Sequence, residues 1–311
     1  MGAGHDHAHV TGHASGRAGD RSRLRLVLAV TVSVVAIEVV GATLSGSLAL
    51  LADAGHLVTD AAAILVALSA SYVAALPATD RRTFGLHRAE ILAALVNAVV
   101  LLGVCGFLAV VGVRRLVHPV DVDTGPMLLV AAIGLVANAA SLGLLTRRRE
   151  TSLNMRGAYL EVLGDLVGSA LVVVAGVVIA VTGFTRADPL ASLLIAVLIL
   201  PRSVSLLRDA VAVLLETTPA HLDLDDVRRH LLEVGGVVDV HDLHAWTITS
   251  GMPSLSAHVT VTDACLDDRG VGSLLDEFSH CVASHFSVDH VTFQIEPQSH
   301  REHEDLGEAH A

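Results

Sequence analysis

The sequence contains no lysine, no CxxC pair and no HExxH, and no cleavable leader is expected. The twenty basic residues are all Arg, which points to a GC-rich genome and carries no mechanistic content. Its three cysteines, Cys105, Cys265 and Cys281, lie far apart. Cys105 falls in an apolar run and the other two in a polar tail, so no disulfide and no thiolate metal clamp is expected, as suits a reducing compartment. Without HExxH, or a Ser/His or Asp/Asp constellation in its place, an intramembrane protease has no catalytic machinery here. The first 20 residues are polar and rich in Gly and His. The apolar run that follows is too long for the core of a signal peptide and lacks a cleavage context.

Apolar residues, by contrast, are abundant. They make up 52% of the 311 residues, and the mean hydropathy is +0.62. Crossing about 30 Å of hydrocarbon takes roughly 20 helical residues. Six stretches meet that length: 24–45, 48–76, 89–113, 125–146, 157–182 and 187–207. The expected organisation is a His-containing tail (1–20), a transmembrane body of six helices (21–208), a cytosolic domain (209–297) and a His-rich acidic tail (298–311). Charge divides along the same line. Residues 1–208 hold 16 Arg against 13 acids, and residues 209–311 hold 4 Arg against 19 acids. So acidic a tail attracts cations and repels nucleic acid.

An even number of spans puts both termini on one side. With the N-terminus inside, Arg17, Arg21, Arg23, Arg25, Arg81, Arg82, Arg88, Arg147, Arg148, Arg149 and Arg156 are cytoplasmic. Only Arg114, Arg115 and Arg186 fall outside. The positive-inside rule therefore predicts cytoplasmic termini in a multi-pass cell membrane protein.

Several polar residues interrupt the apolar runs. "LADAGHLVTD" (51–60) carries Asp53, His56 and Asp60, and "EVLGD" (161–165) carries Glu161 and Asp165. Residues four apart share a helix face, so His56 with Asp60, and Glu161 with Asp165, form two matched pairs. An ionisable group at the centre of a span costs about 2.5–3.5 kcal/mol on insertion scales and marks a pathway or a site. Two such pairs on two helices offer four N and O ligands, a set that suits a tetrahedral divalent metal. Glu38 in the first span is a candidate accessory group, and Asp53 stays unassigned. Asn97 and Asn138 read as interhelical hydrogen bonders. Asp188, before Pro189, reads as the cap of the sixth helix.

The stretches "GSLALLADAGHLVTDA" (46–61), "FGLHRAEILAALVNA" (84–98), "RGAYLEVLGDLVGS" (156–169) and "VHDLHAWTITSGMPSLSAHV" (240–259) resemble the cation diffusion facilitator family. The likeness is greatest to its zinc-, cadmium- and cobalt-exporting branch, and it runs from about residue 24 to 297. The resemblance implies a six-span body, a cytosolic ferredoxin-like domain, a homodimer, and metal efflux coupled to proton entry. It maps a transport site onto His56, Asp60, Glu161 and Asp165. Many zinc-exporting relatives have His where this chain has Glu161, and three carboxylates make a harder site, less selective against cobalt, iron or manganese. A further family site in the loop after the second span is not expected, because that loop reads "PATDRRTFGLHRAE". Arg88 matches a residue that ties spans to the cytosolic domain, with Asp209 as its candidate partner.

The tail reads α-β-β-α-β, the order of a ferredoxin-like α+β fold. "LDDVRRHLLEV" (224–234) and "GSLLDEFSHCVASHF" (272–286) have helical periodicity. "VVDVHDLHAWTIT" (237–249), "SLSAHVTVT" (254–262) and "HVTFQIEP" (290–297) read as strands. The resemblance places cytosolic zinc ligands at His241, His258 and Glu296, one on each strand. His280 and His285 are candidates for a second metal, whereas His244 and Trp246 read as packing. The terminal histidines, in "GHDHAHVTGH" (4–13) and at His300, His303 and His310, are expected to hold metal loosely on disordered tails.

The expected protein is a secondary transporter rather than an enzyme, a zinc/proton antiporter with zinc as cargo and as regulatory ligand and no prosthetic group. The alternatives are efflux of cobalt, cadmium, iron or manganese, and a membrane metal sensor that moves nothing. Coordination requires deprotonated ligands, so metal and protons compete. His56 is the best coupling residue, because imidazole ordinarily titrates nearest neutral pH.

Overall fold

The computed structural model describes residues 32–74, 76–146, 153–249, 251–288 and 290–301. The expected His-containing tail 1–20, residues 24–31 of the expected first span and residues 302–311 of the expected His-rich acidic tail lie outside them. The chain divides into two compact units, residues 1–66 with 96–206, and residues 67–95 with 207–311.

The first unit is helical. It draws on α1 (Val32–Ser45), α2 (Leu48–Ala74), α3 (Ala89–Val117), α4 (Thr124–Thr146), α5 (Leu153–Thr182) and α6 (Ala187–Leu214). Together these are the six expected spans. Within α3 to α6, four segments are long and apolar enough to cross a membrane. In α2 the apolar run is broken by Asp53, His56 and Asp60. Outward residues stay apolar, with Val110, Val136 and Val181 each more than two-thirds exposed, as a lipid-facing surface requires. Inside, small residues bring the helices together, the usual device where water supplies no hydrophobic drive. A Cβ on Gly176 of α5 would stand 2.7 Å from the Leu128 side chain of α4. The core gathers Leu48, Leu50, Leu101, Leu108, Met127, Val172 and Ile195.

Two of the helix ends differ from expectation. α6 runs through Pro201 to Leu214 instead of stopping at 207. A proline N–H is missing there, but one lost bond bends a helix without ending it when packing holds the rest. Asp188 does not cap its own helix. Its carboxylate accepts from Ser47 Oγ at 2.5 Å and from the backbone N–H groups of Leu48 and Ala49 at 2.8 and 3.0 Å. It therefore caps α2, about 140 residues earlier, because the open first turn of α2 presents orphan donors at its end.

The second unit contains α7 (Leu224–Leu232), β1 (Val237–Thr249), β2 (Met252–Val261), α8 (Asp263–Phe286), β3 (His290–Pro297) and the short α9 (Gln298–Arg301). Up to β3 this is the expected α-β-β-α-β order. The sheet order is β1-β2-β3, with β1 and β2 antiparallel and β2 and β3 parallel. A parallel neighbour needs a crossover, and α8 supplies it. Val227 and Leu231 of α7, with Leu274, Phe278 and Val282 of α8, bury four-residue steps against Val240, Leu255, Val259 and Val261. α8 begins at Asp263, earlier than the expected 272, because Thr262 accepts from the Cys265 N–H and starts a preceding turn. Gly270, at φ +73°, kinks the helix between that turn and its apolar stretch; left-handed backbone of this kind is what glycine permits.

Candidate metal centres

α2 and α5 place their polar residues face to face. His56 Nε2 lies 3.4 Å from Asp60 Oδ2, one turn on, and 3.6 Å from Asp165 Oδ1 across the helix pair. One ligand atom from each of the three falls within 4.8 Å of the others. The side chains are only 10–12% exposed. His56 Nδ1, Asp60 Oδ2 and Asp165 Oδ1 carry no hydrogen bond among the described residues. Buried polar atoms are normally satisfied, so an imidazole and two carboxylates left in this way fit a divalent cation.

Glu161 is not part of that cluster. Its Oε1 accepts from Arg202 Nη2 of α6 at 2.9 Å. Arg202 follows Pro201 and is the one Arg of the sixth apolar run, 187–207, so a guanidinium placed within a span is the sequence signal that goes with this pairing.

The second centre lies on the sheet face away from α7 and α8. β1 and β2 pair with His241 opposite His258, and Glu296 stands on β3 beside Thr260. His241 Nε2 is 3.4 Å from Glu296 Oε2, and His258 Nδ1 is 2.9 Å from Glu296 Oε1. One ligand atom of each residue falls within 4.8 Å of the others. Glu296 is 2% exposed and also accepts from Gln294 Nε2 at 2.7 Å. Two carboxylates flank the cluster, Asp239 at 3.3 Å from His241 Nδ1 and Asp242 at 3.8 Å from His258 Nε2. Asp242 reaches it because β1 shifts register between His241 and His244, with Asp242 at φ +49°. Bulges of this kind re-aim a side chain beside functional sites.

Other candidates stand elsewhere. Glu38 is 1% exposed and outside both clusters. His280 and His285 are exposed on α8. The His285 Nδ1–H donates to the Cys281 carbonyl at 3.0 Å, and its ring lies 5.0 Å from that of His230. Burial pushes the Cys281 thiol up, and the Glu233 and Glu277 carboxylates add to this, so a thiolate ligand is disfavoured beside His285. Arg88 donates to Glu216 at 2.6 Å, just past the end of α6, rather than to Asp209. Glu216 turns back through φ +55°, whereas Asp209 is exposed on the helix. In the same unit Thr249 donates to Glu90 at 3.0 Å, and the Phe84 and His290 rings meet edge-on at 5.6 Å. The start of α3 is thereby fastened to β1, and the loop before it to β3. His244 and Trp246 line a cavity of about 900 Å³ with Arg81, Arg82 and Arg88.

A family model described as the cation efflux transmembrane domain matches residues 24–215, and one described as the cation efflux protein, cytoplasmic domain, matches residues 219–298. The chain belongs to the cation efflux, or cation diffusion facilitator, family. The metal cation efflux system protein CzcD of Cupriavidus metallidurans is 40% identical, over 95% of this chain and 90% of its own. The zinc transporter ZitB of Escherichia coli is 39% identical, over 94% and 93%. The cadmium, cobalt and zinc/H(+)-K(+) antiporter of Bacillus subtilis is 35% identical, over 93% of each. The solved metal-bound C-terminal domain of the CzcD transporter is 39% identical over 24% of this chain and 99% of that one, with a TM-score of 0.22. Within this family the chain is a multi-pass membrane transporter of cations rather than an enzyme.

Proposed function

We propose that this cation efflux protein exports zinc(II) in exchange for protons, by alternating access, as a homodimer with both termini cytoplasmic. Residues 21–208 form the transport body, 209–297 the cytosolic domain, and 1–20 and 298–311 its tails. The observation that carries the reading is the buried convergence of His56, Asp60 and Asp165 inside membrane-spanning helices. The relatives named for zinc transport, and one named for exchange against H(+) and K(+), support the cargo and the counter-ion.

Metal arriving from the cytoplasm meets the three ligands, and Glu161 leaves Arg202 to become the fourth. Binding displaces protons from the ligands. After the bundle opens outward, protons compete for the same atoms and the metal leaves. The cytosolic centre fits a resident zinc: His241, His258 and Glu296 would hold it, and its charge would draw strands and protomers together.

The test is transport in reconstituted vesicles with zinc, cobalt, cadmium, iron and manganese across a pH gradient. Zinc flux accompanied by opposite proton flux supports the proposal. Metal binding with no flux would favour a sensor. A second reading, broader efflux of cobalt, cadmium, iron or manganese, draws on the carboxylate-rich donor set. For that reason Glu161→His is expected to raise the preference for zinc over manganese and iron severalfold in competition assays. Unchanged selectivity would show that position 161 does not set it.

The cytosolic centre has its own outcome. Glu296→Gln leaves two imidazoles without their shared carboxylate. Loss of even a ligand's supporting partner costs about 10–100-fold in metal affinity, so the cytosolic zinc is expected to bind at least tenfold more weakly. Equilibrium dialysis of the full-length protein would show one class of site weakened and the other kept. Two intact classes would remove Glu296 from the ligand set.

A further inference from the structure

Two buried carboxylates in the membrane-spanning helices take no part in the metal cluster. Glu38 of α1 is 1% exposed and Asp53 of α2 is 2% exposed. Asp53 Oδ2 accepts from Ser169 Oγ of α5 at 2.9 Å, and Ser169 Oγ accepts from Asn138 Nδ2 of α4 at 3.2 Å. Neither oxygen of Glu38 has a hydrogen bond, and no basic side chain pairs with either carboxylate, among the described residues. Glycines make the room. A Cβ on Gly134 of α4 would stand 2.6 Å from Glu38 Oε1 and 3.4 Å from Ser169 Oγ. A Cβ on Gly168 of α5 would stand 2.7 Å from Asp53 Oδ1. Four helices thus close around Glu38, Asp53 and Ser169.

Two ionised carboxylates cannot rest there unpaired, since burying even one without compensation is prohibitive. Something positive must occupy them. The donors are all oxygen, with no imidazole or thiolate, which is a poor set for zinc. Gly134 and Gly168 bring helix backbone against Glu38 Oε1 and Asp53 Oδ1, where any larger residue would collide. A proton meets both conditions. We propose that Glu38 and Asp53 form a proton site separate from the metal ligands, and that it carries counter-ion protons exchanged for metal.

The charged groups facing Glu38 are Asp53 and Asp165. Asp165 in turn faces Asp60, Asp53, Glu161 and Arg202. It belongs to the metal cluster and lies one helical turn before Ser169, the partner of Asp53. A divalent cation on Asp165 and His56 repels protons from Glu38 and Asp53, and protons there disfavour the metal. This is reciprocal coupling through charge, with no need for a shared ligand. With cytoplasmic termini, Asp53 lies on the outward side of His56, where external protons arrive.

The inference rests on the proposed metal/proton exchange, and the experiment separates the two. Wild type, Glu38→Gln and Asp53→Asn are compared by zinc binding in detergent, by zinc–zinc exchange at equal pH, and by zinc and proton fluxes under a pH gradient. Both variants are close to isosteric and cannot release the proton. Zinc binding and equal-pH exchange are expected to persist, while gradient-driven zinc accumulation falls about tenfold or more and proton counterflow with it, a loss within the usual range of coupling. Zinc binding doubles as the check on folding, and Asp53→Asn carries the test should Glu38→Gln not accumulate. Wild-type proton coupling in both variants overturns the proton site. Loss of zinc binding in folded protein overturns it too, by placing these carboxylates among the metal ligands. Zinc flux without proton flux in wild type defeats the exchange reading itself, independently of either variant.

Discussion

Asp60→Ala vesicles are expected to move no zinc above the leak of empty ones, although the protein inserts and folds. Asp60 and His56 project from the same face of α2, and Asp165 closes on them from α5. Among the described residues no backbone or capping donor depends on Asp60, so its loss removes a buried charge and leaves the helices intact. Supporting partners of metal ligands are worth about 10–100-fold in affinity, so a ligand itself exceeds the upper end of that range. His56→Ala is expected to match it, since the imidazole contributes the one nitrogen. Zinc uptake followed with a vesicle-trapped fluorescent indicator gives the rates, and elution from a sizing column confirms folding. Full transport by Asp60→Ala would dismantle the shared α2–α5 site.

Asp188→Ala acts on the fold instead of the cargo. Its carboxylate is fully buried and accepts three hydrogen bonds at the start of α2, with Arg115 Nη1 at 3.7 Å. The same guanidinium donates to the Gly46 carbonyl at 2.7 Å, so one cluster fixes the α1–α2 corner. Removing one member of a buried ionic cluster costs about 3–5 kcal/mol, because the partners left behind stay desolvated. For a chain of this size that lowers Tm by roughly 10 °C. Asp188→Asn keeps one acceptor oxygen and is expected to fall between. Thermal unfolding in detergent, followed by loss of the monodisperse peak, measures both. A wild-type Tm for Asp188→Ala would mean that water replaces the cap.

The two substitutions differ in how far the sequence reveals their targets. His56 and Asp60 are neighbours on a helix face, so periodicity alone pairs them. Asp188 sits beside Pro189 at a helix start, and local rules assign it there. The open amide donors of α2 outbid that assignment from about 140 residues away. Glu161 shows the same limit. Its spacing to Asp165 matches that of His56 to Asp60, yet Arg202 draws it to α6. Asp53 had no local partner to suggest a role, and its companions belong to α1, α4 and α5.

What the sequence by itself determined is local: which stretches are apolar enough and long enough to span, which polar residues share a face, and the helix and strand order of the acidic tail. Hydropathy and the 3.6- and 2-residue periods act over single elements, so they can be read along the chain. Tertiary structure alone decided which faces meet. It turned three of the four paired residues toward one point, gave Glu161 to a guanidinium, sent the Asp188 carboxylate to another helix, and walled Glu38 and Asp53 together behind two glycines. Those outcomes depend on how closely helices approach through space. That distance is set by small side chains and buried donors on segments far apart in sequence.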